Sequence, residues 1–269
     1  MSTAAALVDV MSVVLRVGVI MVRSGAAAFR SRLTMMRFAR SLGVSEADFV
    51  VTPDLVQASL SSGGTTLGRA IHIGESGVNM GRLAAIDRLS RELAATPGSA
   101  DVDAVGARLD AIEGAPLVYP RWLTVAMLGA ACGAFCGAMG GGALAIAGAY
   151  VGAVLGHLLR LWLIAKHAHV VSFVTVSTFT SSATAFVVVW GGLHLGGVVP
   201  SAFHVASSEA VLASILYLVP GVPLVTSLLD IIHFDLVAGL ARAAYASLIV
   251  VCMGVGMLAF LSMIRHAFP

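Results

Sequence analysis

Charge is scarce in this 269-residue sequence, since only 11% of its residues are charged and 58% are hydrophobic. Soluble globular domains carry about 25% charged residues, so the composition excludes an ordinary soluble protein. The charges are also spread unevenly, because 22 of the 30 lie in residues 1–120 and eight in residues 121–269. The sequence therefore predicts a polar N-terminal part followed by a part embedded in a lipid bilayer.

Several other features are scarce or lacking. The three cysteines lie in apolar runs, where a thiol behaves as a small hydrophobic group, so we expect no disulfide. A net charge of +2 spread over a membrane protein gives no reason to expect nucleic-acid binding, and the one apparent basic cluster, Arg30, Arg32, Arg37 and Arg40, is interpreted as a solvated helix face, with a lipid-headgroup or ligand patch as the alternative. Gly74 to Gly77 misses the spacing of a nucleophile elbow. A G-x-x-x-x-G-K-[ST] loop is lacking, so any transport would not be driven by ATP. We expect neither an enzyme, nor a cofactor, nor a metal site.

Residues 1–118 predict a small cytoplasmic α+β domain. Apolar residues recur at helical spacing as far as Leu42, with a break near Ser24-Gly25. Short extended runs follow, and Ser61-Ser62-Gly63-Gly64 is typical of a hairpin turn between two of them. The expected strands are Phe49–Thr52, Leu55–Leu60 and Thr65–Ile73, and the helices expected after them are Gly81–Ala95 and Val102–Ile112.

Residues 119–269 predict an all-α bundle of about five transmembrane helices. Tyr119-Pro120-Arg121-Trp122 opens the first span with an interfacial aromatic residue and a basic anchor. Each span approaches the roughly 20 apolar residues that are needed to cross the hydrocarbon core. The expected spans are Trp122–Met139, Ala143–Leu159, Val170–Trp190, Phe203–Val219 and Ala243–Ile264.

Basic residues near the span ends predict the orientation. Arg160 and Lys166 are assigned to the connection between spans two and three. Arg121 and Arg242 precede spans one and five, which places them on the same side. The connection 191–201 between spans three and four has no lysine or arginine. Because basic loops prefer the cytoplasm, we expect a cytoplasmic N-terminus and an outside C-terminus.

Small and hydroxylated residues mark the first three spans. Glycines recur every fourth residue on one face of spans one and two, which predicts close helix packing in lipid. They are Gly129, Gly133, Gly137, Gly141, Gly148, Gly152 and Gly156. Span three carries hydroxyls all around, including Thr178 and Ser181. These hydroxyls either bond back to their own helix or line a polar path.

The segment after span three contains the remaining candidate site residues. Glu209 lies either deep in span four or near its outer interface, and a carboxylate in a span is a functional candidate. Pro220-Gly221-Val222-Pro223 must break an apolar helix. Broken helices in transporters present backbone groups and helix dipoles to substrates or ions, although a plain helix end is the alternative.

Asp230, Asp235 and Arg242 follow this break. The carboxylates could bind protons or cations, or could pair with Arg242 to stabilise the loop. We place a carboxylate-binding site where the break at Pro220, Gly221 and Pro223 meets span three, with Arg242 supplying the positive charge. The structural alternative is that Arg242 only pairs with Asp235 and stabilises the loop before span five.

The sequence resembles the threonine/serine exporter family, and within it the short YjjP-type chains. The matching segments are Gly77-Val78-Asn79-Met80 (with Gly77, Asn79 and Met80 as the soluble-domain motif), Tyr119-Pro120-Arg121-Trp122, and Leu218 to Leu224 continuing through Asp230, Asp235 and Gly239 to Arg242. The resemblance covers nearly the whole chain. It implies a multi-pass protein of the bacterial inner membrane that assembles as a hetero- or homo-oligomer.

The resemblance further implies a two-component exporter whose other half is a smaller, YjjB-type membrane subunit. The two-component type is associated with succinate or a similar dicarboxylate, and the fused type with threonine and serine. A regulatory or scaffold protein is the alternative of another class, in which the soluble domain binds a partner and the spans only pack.

Overall fold

The chain divides into two compact units in a computed structural model. The first unit combines Met1–Val118 with Gly221–Tyr245, and the second combines Tyr119–Pro220 with Ala246–Pro269. The structure describes residues 3–74, 77–95, 100–116, 118–196 and 208–267. A later segment of the chain, Gly221–Tyr245, thus belongs to the same unit as the polar N-terminal part.

Two helices open the first unit, α1 (Thr3–Arg23) and α2 (Ala28–Ser41). The predicted break between them is confirmed, because Gly25 adopts a φ of 92° that few other residues tolerate. Gly43 ends α2 in the same way with a φ of 82°, and Val44 N–H donates to the Ala39 carbonyl at 3.0 Å.

A three-stranded antiparallel sheet follows, with the order β1-β2-β3. The strands are β1 (Glu46–Val51), β2 (Leu55–Ser62) and β3 (Thr65–His72). Ser62 pairs with Thr65, and the two residues between them, Gly63 and Gly64, have φ values of 57° and 76°. The predicted hairpin is therefore confirmed as a two-residue turn, a geometry that requires positive φ at both positions.

Helices α3 (Met80–Ala94) and α4 (Val102–Gly114) complete the N-terminal segment of this unit. Its core is made of large side chains, including Met21, Met35, Phe38 and Leu60, which are fully buried. Such a core is typical of a water-soluble fold, in which burial of apolar area supplies the main stabilisation.

The second unit begins with α5 (Arg121–Ala138), α6 (Ala143–Ala165) and α7 (Val170–Gly196), then α8 (208–214) with a 3-10 turn at Leu216–Leu218. Helix α5 is as long as its predicted span, whereas α6 and α7 extend beyond the predicted ends of theirs. The chain continues with α9 (Gly221–Ile232) and α10 (Leu236–Ala267), and α10 contributes residues to both units.

Four of these helices, α5, α6, α7 and α10, are long and apolar enough to cross a membrane among the described residues. A fifth span results if the bent pair Ser208–Leu218 and Gly221–Ile232 is counted as one. The span predicted at Phe203–Val219 is thus found only as part of this pair, and its residues 203–207 lie outside the described chain.

Two basic residues that we assigned to connections lie inside helices. Arg160 belongs to α6 and Arg242 to α10, because these helices run to Ala165 and from Leu236. The helices accommodate the two arginines because each guanidinium has a neighbour. Arg160 lies 5.6 Å from the centroid of the Phe173 ring, and Arg242 pairs with a carboxylate. Lys166 alone remains in the connection after α6.

The glycine stripes bring helices of the second unit close together, as predicted. A Cβ on Gly152 would lie 2.6 Å from the Ser181 backbone oxygen, and one on Gly148 would lie 3.0 Å from that of Ala185. On α5, Gly129, Gly133 and Gly137 face α6 in the same way. Gly141 is the exception to the predicted run, because α5 ends at Ala138 and Gly140 turns the chain with a φ of 98°.

Candidate functional site

The predicted helix break is present. The 3-10 turn Leu216–Leu218 ends the apolar helix, and α9 begins at Gly221 directly after Pro220. Pro223 falls in the first turn of α9, where a missing N–H costs no hydrogen bond. Pro220 belongs to the second unit, whereas Gly221 and Pro223 belong to the first, so the break coincides with the boundary between the units along the chain.

Asp230 caps the start of a helix that is distant in sequence. Its Oδ1 accepts hydrogen bonds from Ala28 N–H at 2.7 Å and Phe29 N–H at 3.4 Å, at the N-terminus of α2. The local N-cap residue, Ala27, has no side-chain acceptor for these amides. Asp230 is completely buried, so its charge is stabilised by these amides and by the positive end of the helix dipole.

Arg242 lies beside Asp230 within the same unit. Its Nε is 3.3 Å from Asp230 Oδ2, and the residue is only 8% exposed. The two atoms form an ion pair but not a well-directed hydrogen bond, and Arg242 Nη2 has no hydrogen-bond partner among the described residues. The guanidinium therefore has N–H groups left that could donate hydrogen bonds to a further carboxylate.

The alternative pairing of Arg242 with Asp235 is not the one observed. Asp235 Oδ1 accepts from Arg32 Nη1 at 2.6 Å instead. Its other oxygen, Oδ2, is buried and lacks a hydrogen-bond partner in the described part of the chain. One ion pair of the first unit thus joins α2 to Asp235, the residue before α10, and another joins α9 to α10.

A tight helical hairpin, formed by α9 and α10, brings Asp230, Asp235 and Arg242 into one region of the first unit. Phe234 turns the chain between α9 and α10 with a φ of 61°, and Ser227 Oγ donates to the Gly239 carbonyl at 2.8 Å. A Cβ on Gly239 would lie 2.6 Å from Ile231 Cγ1, so glycine is needed for this approach. The Phe29 and His233 rings stack 3.8 Å apart and also join α2 to the turn that follows α9.

The soluble-domain motif has a structural position. Asn79 caps α3 by accepting from Arg82 N–H at 3.0 Å, and its own N–H donates to the Ser24 carbonyl at 3.1 Å. Gly77 N–H donates to the Arg23 carbonyl at 2.8 Å. Met80, the first residue of α3, is 55% exposed. Gly77 and Asn79 therefore tie the end of α1 to the start of α3.

The hydroxyls of α7 belong to the second unit and divide into two groups. Thr178 Oγ1 bonds back to the Val174 carbonyl at 2.9 Å, as the simpler interpretation expects. Ser181 Oγ instead shares a hydrogen bond of 3.1 Å with the Tyr217 hydroxyl, and Thr175 Oγ1 donates to the Cys252 carbonyl at 3.3 Å. Part of this helix therefore presents polar atoms to its neighbours.

The candidate residues are accordingly split between the units. Asp230, Asp235 and Arg242 lie together in the first unit, and Thr178 and Ser181 in the second. Glu209 is half-buried and lies near the start of the described part of α8. Its role stays a prediction, as does the meeting of the break with the third span.

The sequence analysis missed a polar group in the second unit. His157 is buried on α6, and its ring meets that of Tyr217 edge-on at 5.4 Å. Arg160 is one turn further along α6, and Ser177 is fully buried on α7. One signal was available, because His157 and Arg160 are three residues apart and therefore on one face of an apolar helix.

These features define a multi-pass membrane protein, with apolar helices joined through small residues and with polar side chains buried inside. Residues 12–264 match the family model described as "Putative threonine/serine exporter". The chain therefore belongs to the threonine/serine exporter family, which confirms the resemblance seen in its motifs. The family comprises transporter proteins, in agreement with the expectation of a non-enzymatic protein.

Two curated relatives have similar sequences over most of their length. The chain is 25% identical over 242 residues to "Probable succinate transporter subunit YjjP" of Escherichia coli (strain K12), covering 89% of this chain and 90% of the relative. It is 26% identical over 223 residues to the protein of the same name from Klebsiella aerogenes, covering 82% and 81%. No solved structure matches the chain.

Proposed function

We propose that this chain is one subunit of a secondary exporter for a small carboxylate, succinate or a similar dicarboxylate, and that it works with a smaller, YjjB-type membrane subunit. The observation that carries the proposal is the buried guanidinium of Arg242, which retains an unused donor in the described structure. The names of the two relatives support both the substrate class and the need for a second subunit.

The chemistry of this site fits a carboxylate. An arginine binds carboxylates through two parallel N–H donors, and its charge persists at every physiological pH. Asp230 holds the Arg242 guanidinium in place from one side, at 3.3 Å, and leaves Nη2 for a ligand. Asp235, whose Oδ2 is also buried without a partner in the described chain, is the candidate carrier of a coupling proton.

The same proposal includes an orientation in the bacterial inner membrane, with the N-terminus in the cytoplasm and the C-terminus outside. This arrangement requires an odd number of crossings, so the bent pair after residue 207 must count as one span. Labelling of a single cysteine at position 166 should occur from the cytoplasmic side. Labelling from the outside would contradict the orientation.

Export from cells or proteoliposomes tests the proposal. The chain alone should move no succinate, whereas the chain with its partner should. Arg242→Gln should reduce export about ten-fold or more, the loss expected when a charged hydrogen-bond donor is removed. Arg265→Gln is the matched control, because Arg265 is an exposed arginine on the same helix. Robust succinate flux without a partner, or full export by Arg242→Gln, would contradict the proposal.

A neutral double variant separates substrate binding from scaffolding. Arg242→Gln with Asp230→Asn removes both charges of the pair and keeps an oxygen for the amides of α2. Restored export in this variant would assign Arg242 to the scaffold. Loss of export in Arg242→Gln and in the double variant, with normal amounts of protein in the membrane, supports the substrate role.

Threonine and serine are the second candidate substrates, and the family description favours them. They share the carboxylate with succinate but carry an ammonium group. Competition of labelled succinate export by unlabelled threonine, serine and malonate distinguishes the two classes. Inhibition by the dicarboxylate alone supports the first, and inhibition by the amino acids alone supports the second.

A further inference from the structure

A polar cluster lies inside the second unit, formed by side chains from α6, α7 and the 3-10 turn. We name it the α6–α7 polar cluster, and its members are His157, Arg160, Ser177, Ser181 and Tyr217. His157 is eight residues before the end of α6, which at 1.5 Å per residue is roughly 12 Å from that helix end. His157 therefore lies well within the length of the candidate span α6, and Arg160 and Tyr217 beside it are half-buried.

Three atoms of the cluster are buried without hydrogen-bond partners in the described chain, His157 Nδ1, Arg160 Nε and Ser177 Oγ. Ser177 is completely buried and His157 is 8% exposed. An unsatisfied polar group is costly in a protein interior and more so in a membrane, where water does not substitute. A sequence that only needed packing would place an apolar side chain at these positions.

The remaining members of the cluster lie around the Tyr217 hydroxyl and His157. The Tyr217 hydroxyl hydrogen-bonds with Ser181 Oγ at 3.1 Å, and Ser177 faces that hydroxyl from the preceding turn of α7. Arg160 brings a positive charge close to both His157 and Tyr217. Its Nε lacks a hydrogen-bond partner within the described ranges, and its guanidinium rests over the Phe173 ring.

Glycine makes this cluster possible. A Cβ on Gly156 would overlap Ser181 Oγ and lie 2.6 Å from Tyr217 Oη, so only glycine lets α6 approach the two hydroxyls. In the resting structure the Ser181 and Tyr217 hydroxyls bond to each other at 3.1 Å, so neither is free for a ligand while this bond is made. Tyr217 stands three residues before Pro220, at the break itself. A movement of the break would therefore carry the Tyr217 hydroxyl away from Ser181.

We propose that the α6–α7 polar cluster, as a site separate from the one proposed at Arg242, binds a carboxylate group of the transported substrate when this hydrogen bond opens. Arg160 supplies the positive charge, and the hydroxyls of Ser177, Ser181 and Tyr217 donate to the carboxylate oxygens. His157 donates through the ring nitrogen that has no partner in the described structure. The inference rests on the proposed function. It assigns to carboxylate binding three residues for which the sequence suggested no such role, His157, Arg160 and Tyr217, and it selects Ser177 and Ser181 among the hydroxyls of span three.

A purely structural role makes an opposite prediction. If the hydroxyls only join helices, their removal lowers stability and leaves substrate affinity unchanged. If Ser177 is kept for a ligand, Ser177→Ala removes an unsatisfied atom, so the protein becomes as stable as before or more stable while affinity falls. Function and stability therefore change in different directions at this residue.

The test uses proteoliposomes that contain the full chain and its partner subunit. Succinate uptake into succinate-loaded vesicles gives KM and kcat, and thermal unfolding in detergent gives Tm. Ser177→Ala should raise KM about ten-fold or more without lowering Tm, since it removes a hydrogen bond to a charged group but none that the described resting structure makes. Tyr217→Phe should raise KM by a similar factor and also lower Tm, because its hydrogen bond with Ser181 is lost. Ser182→Ala is the matched control, because that neighbouring hydroxyl contacts Met257 Sδ at 3.5 Å and should leave KM unchanged.

The outcomes separate the two proposals. Wild-type vesicles that move neither succinate, threonine nor serine would contradict both. Normal KM values in Ser177→Ala and Tyr217→Phe, with active wild type, would overturn the cluster alone. A raised KM confined to variants with a lower Tm would assign the cluster to packing and overturn it as well. A raised KM at unchanged or higher Tm, together with full export by Arg242→Gln, would retain this site and exclude the one at Arg242.

Discussion

The interiors of the two units are filled by different kinds of residue. The first unit has a core of large side chains such as Met35, Phe38 and Leu60, and it also buries the ion pair between Asp230 and Arg242. The largest cluster of the second unit consists mainly of alanines, together with Cys136, two valines and Phe260, and glycines lie at the helix contacts. Water drives large apolar side chains together, whereas lipid does not, so helices in lipid associate through close backbone contact.

This difference indicates where each unit is vulnerable. In the first unit the sensitive positions should be those where a charge or a large side chain is removed. In the second they should be those where even one methyl group is added. Charged and neutral substitutions placed in the two units test this contrast.

The largest effect is expected for Asp230→Ala. The change removes the acceptor for two amides of α2 and leaves Arg242 as a buried charge without its partner. Breaking a buried pair from one side costs about 3–5 kcal/mol. Reversible unfolding in mixed micelles should show this loss, together with a lower amount of protein in the membrane.

Asp230→Asn separates the two contributions, because it keeps an oxygen for the amides but loses the charge. A smaller loss than in Asp230→Ala is expected. Equal stability of wild type and Asp230→Ala would show that the charge pair does not stabilise the first unit.

An intermediate effect is expected for Gly152→Ala in the second unit. The added Cβ would lie 2.6 Å from the Ser181 backbone oxygen and 3.0 Å from Ser214 Cβ, and a backbone atom cannot rotate away. Overpacking of this kind costs about 1–3 kcal/mol. Gly254→Ala is the control, since a Cβ there meets nothing within 4 Å. A loss of stability of the same size in both variants would contradict the role of close helix approach.

The smallest effect is expected for Ser227→Ala, which removes the neutral hydrogen bond from α9 to the Gly239 carbonyl. Such a bond contributes about 1 kcal/mol. The unfolding assay used for Asp230 measures it under the same conditions. A loss as large as that of Asp230→Ala would mean that the hairpin, and not the buried charge, holds the later segment in the first unit.

Local chemistry in the sequence predicted much of this fold. Ser24-Gly25 and Gly63-Gly64 marked a break and a turn that the structure contains, and the glycine stripes marked helix contacts. The ends of α6 and α10 were less predictable. Arginines inside these helices interrupt the apolar pattern, and only the neighbours of Arg160 and Arg242 explain why the helices continue.

The candidate site was predictable in its residue types but not in its pairings. Asp230, Asp235 and Arg242 stood out because charge is scarce around them. Their partners on α2 could not be inferred, because no local pattern links α2 to a segment about 200 residues later. The α6–α7 polar cluster was missed for a similar reason, since His157, Ser177 and Tyr217 come from three separate elements.

The hydrogen bond between Asp230 and the amide of Ala28 can form only late in synthesis of the chain. The two residues are 202 positions apart, and a ribosome adds about 5–20 residues per second. Roughly 10–40 s therefore pass between synthesis of the start of α2 and synthesis of Asp230, its capping residue, while the helices of the second unit are being made. During that interval its amides must bond to water or to a temporary partner. We expect the N-terminal segment, although it leaves the ribosome first, to be among the last parts of the protein to reach its final hydrogen bonding.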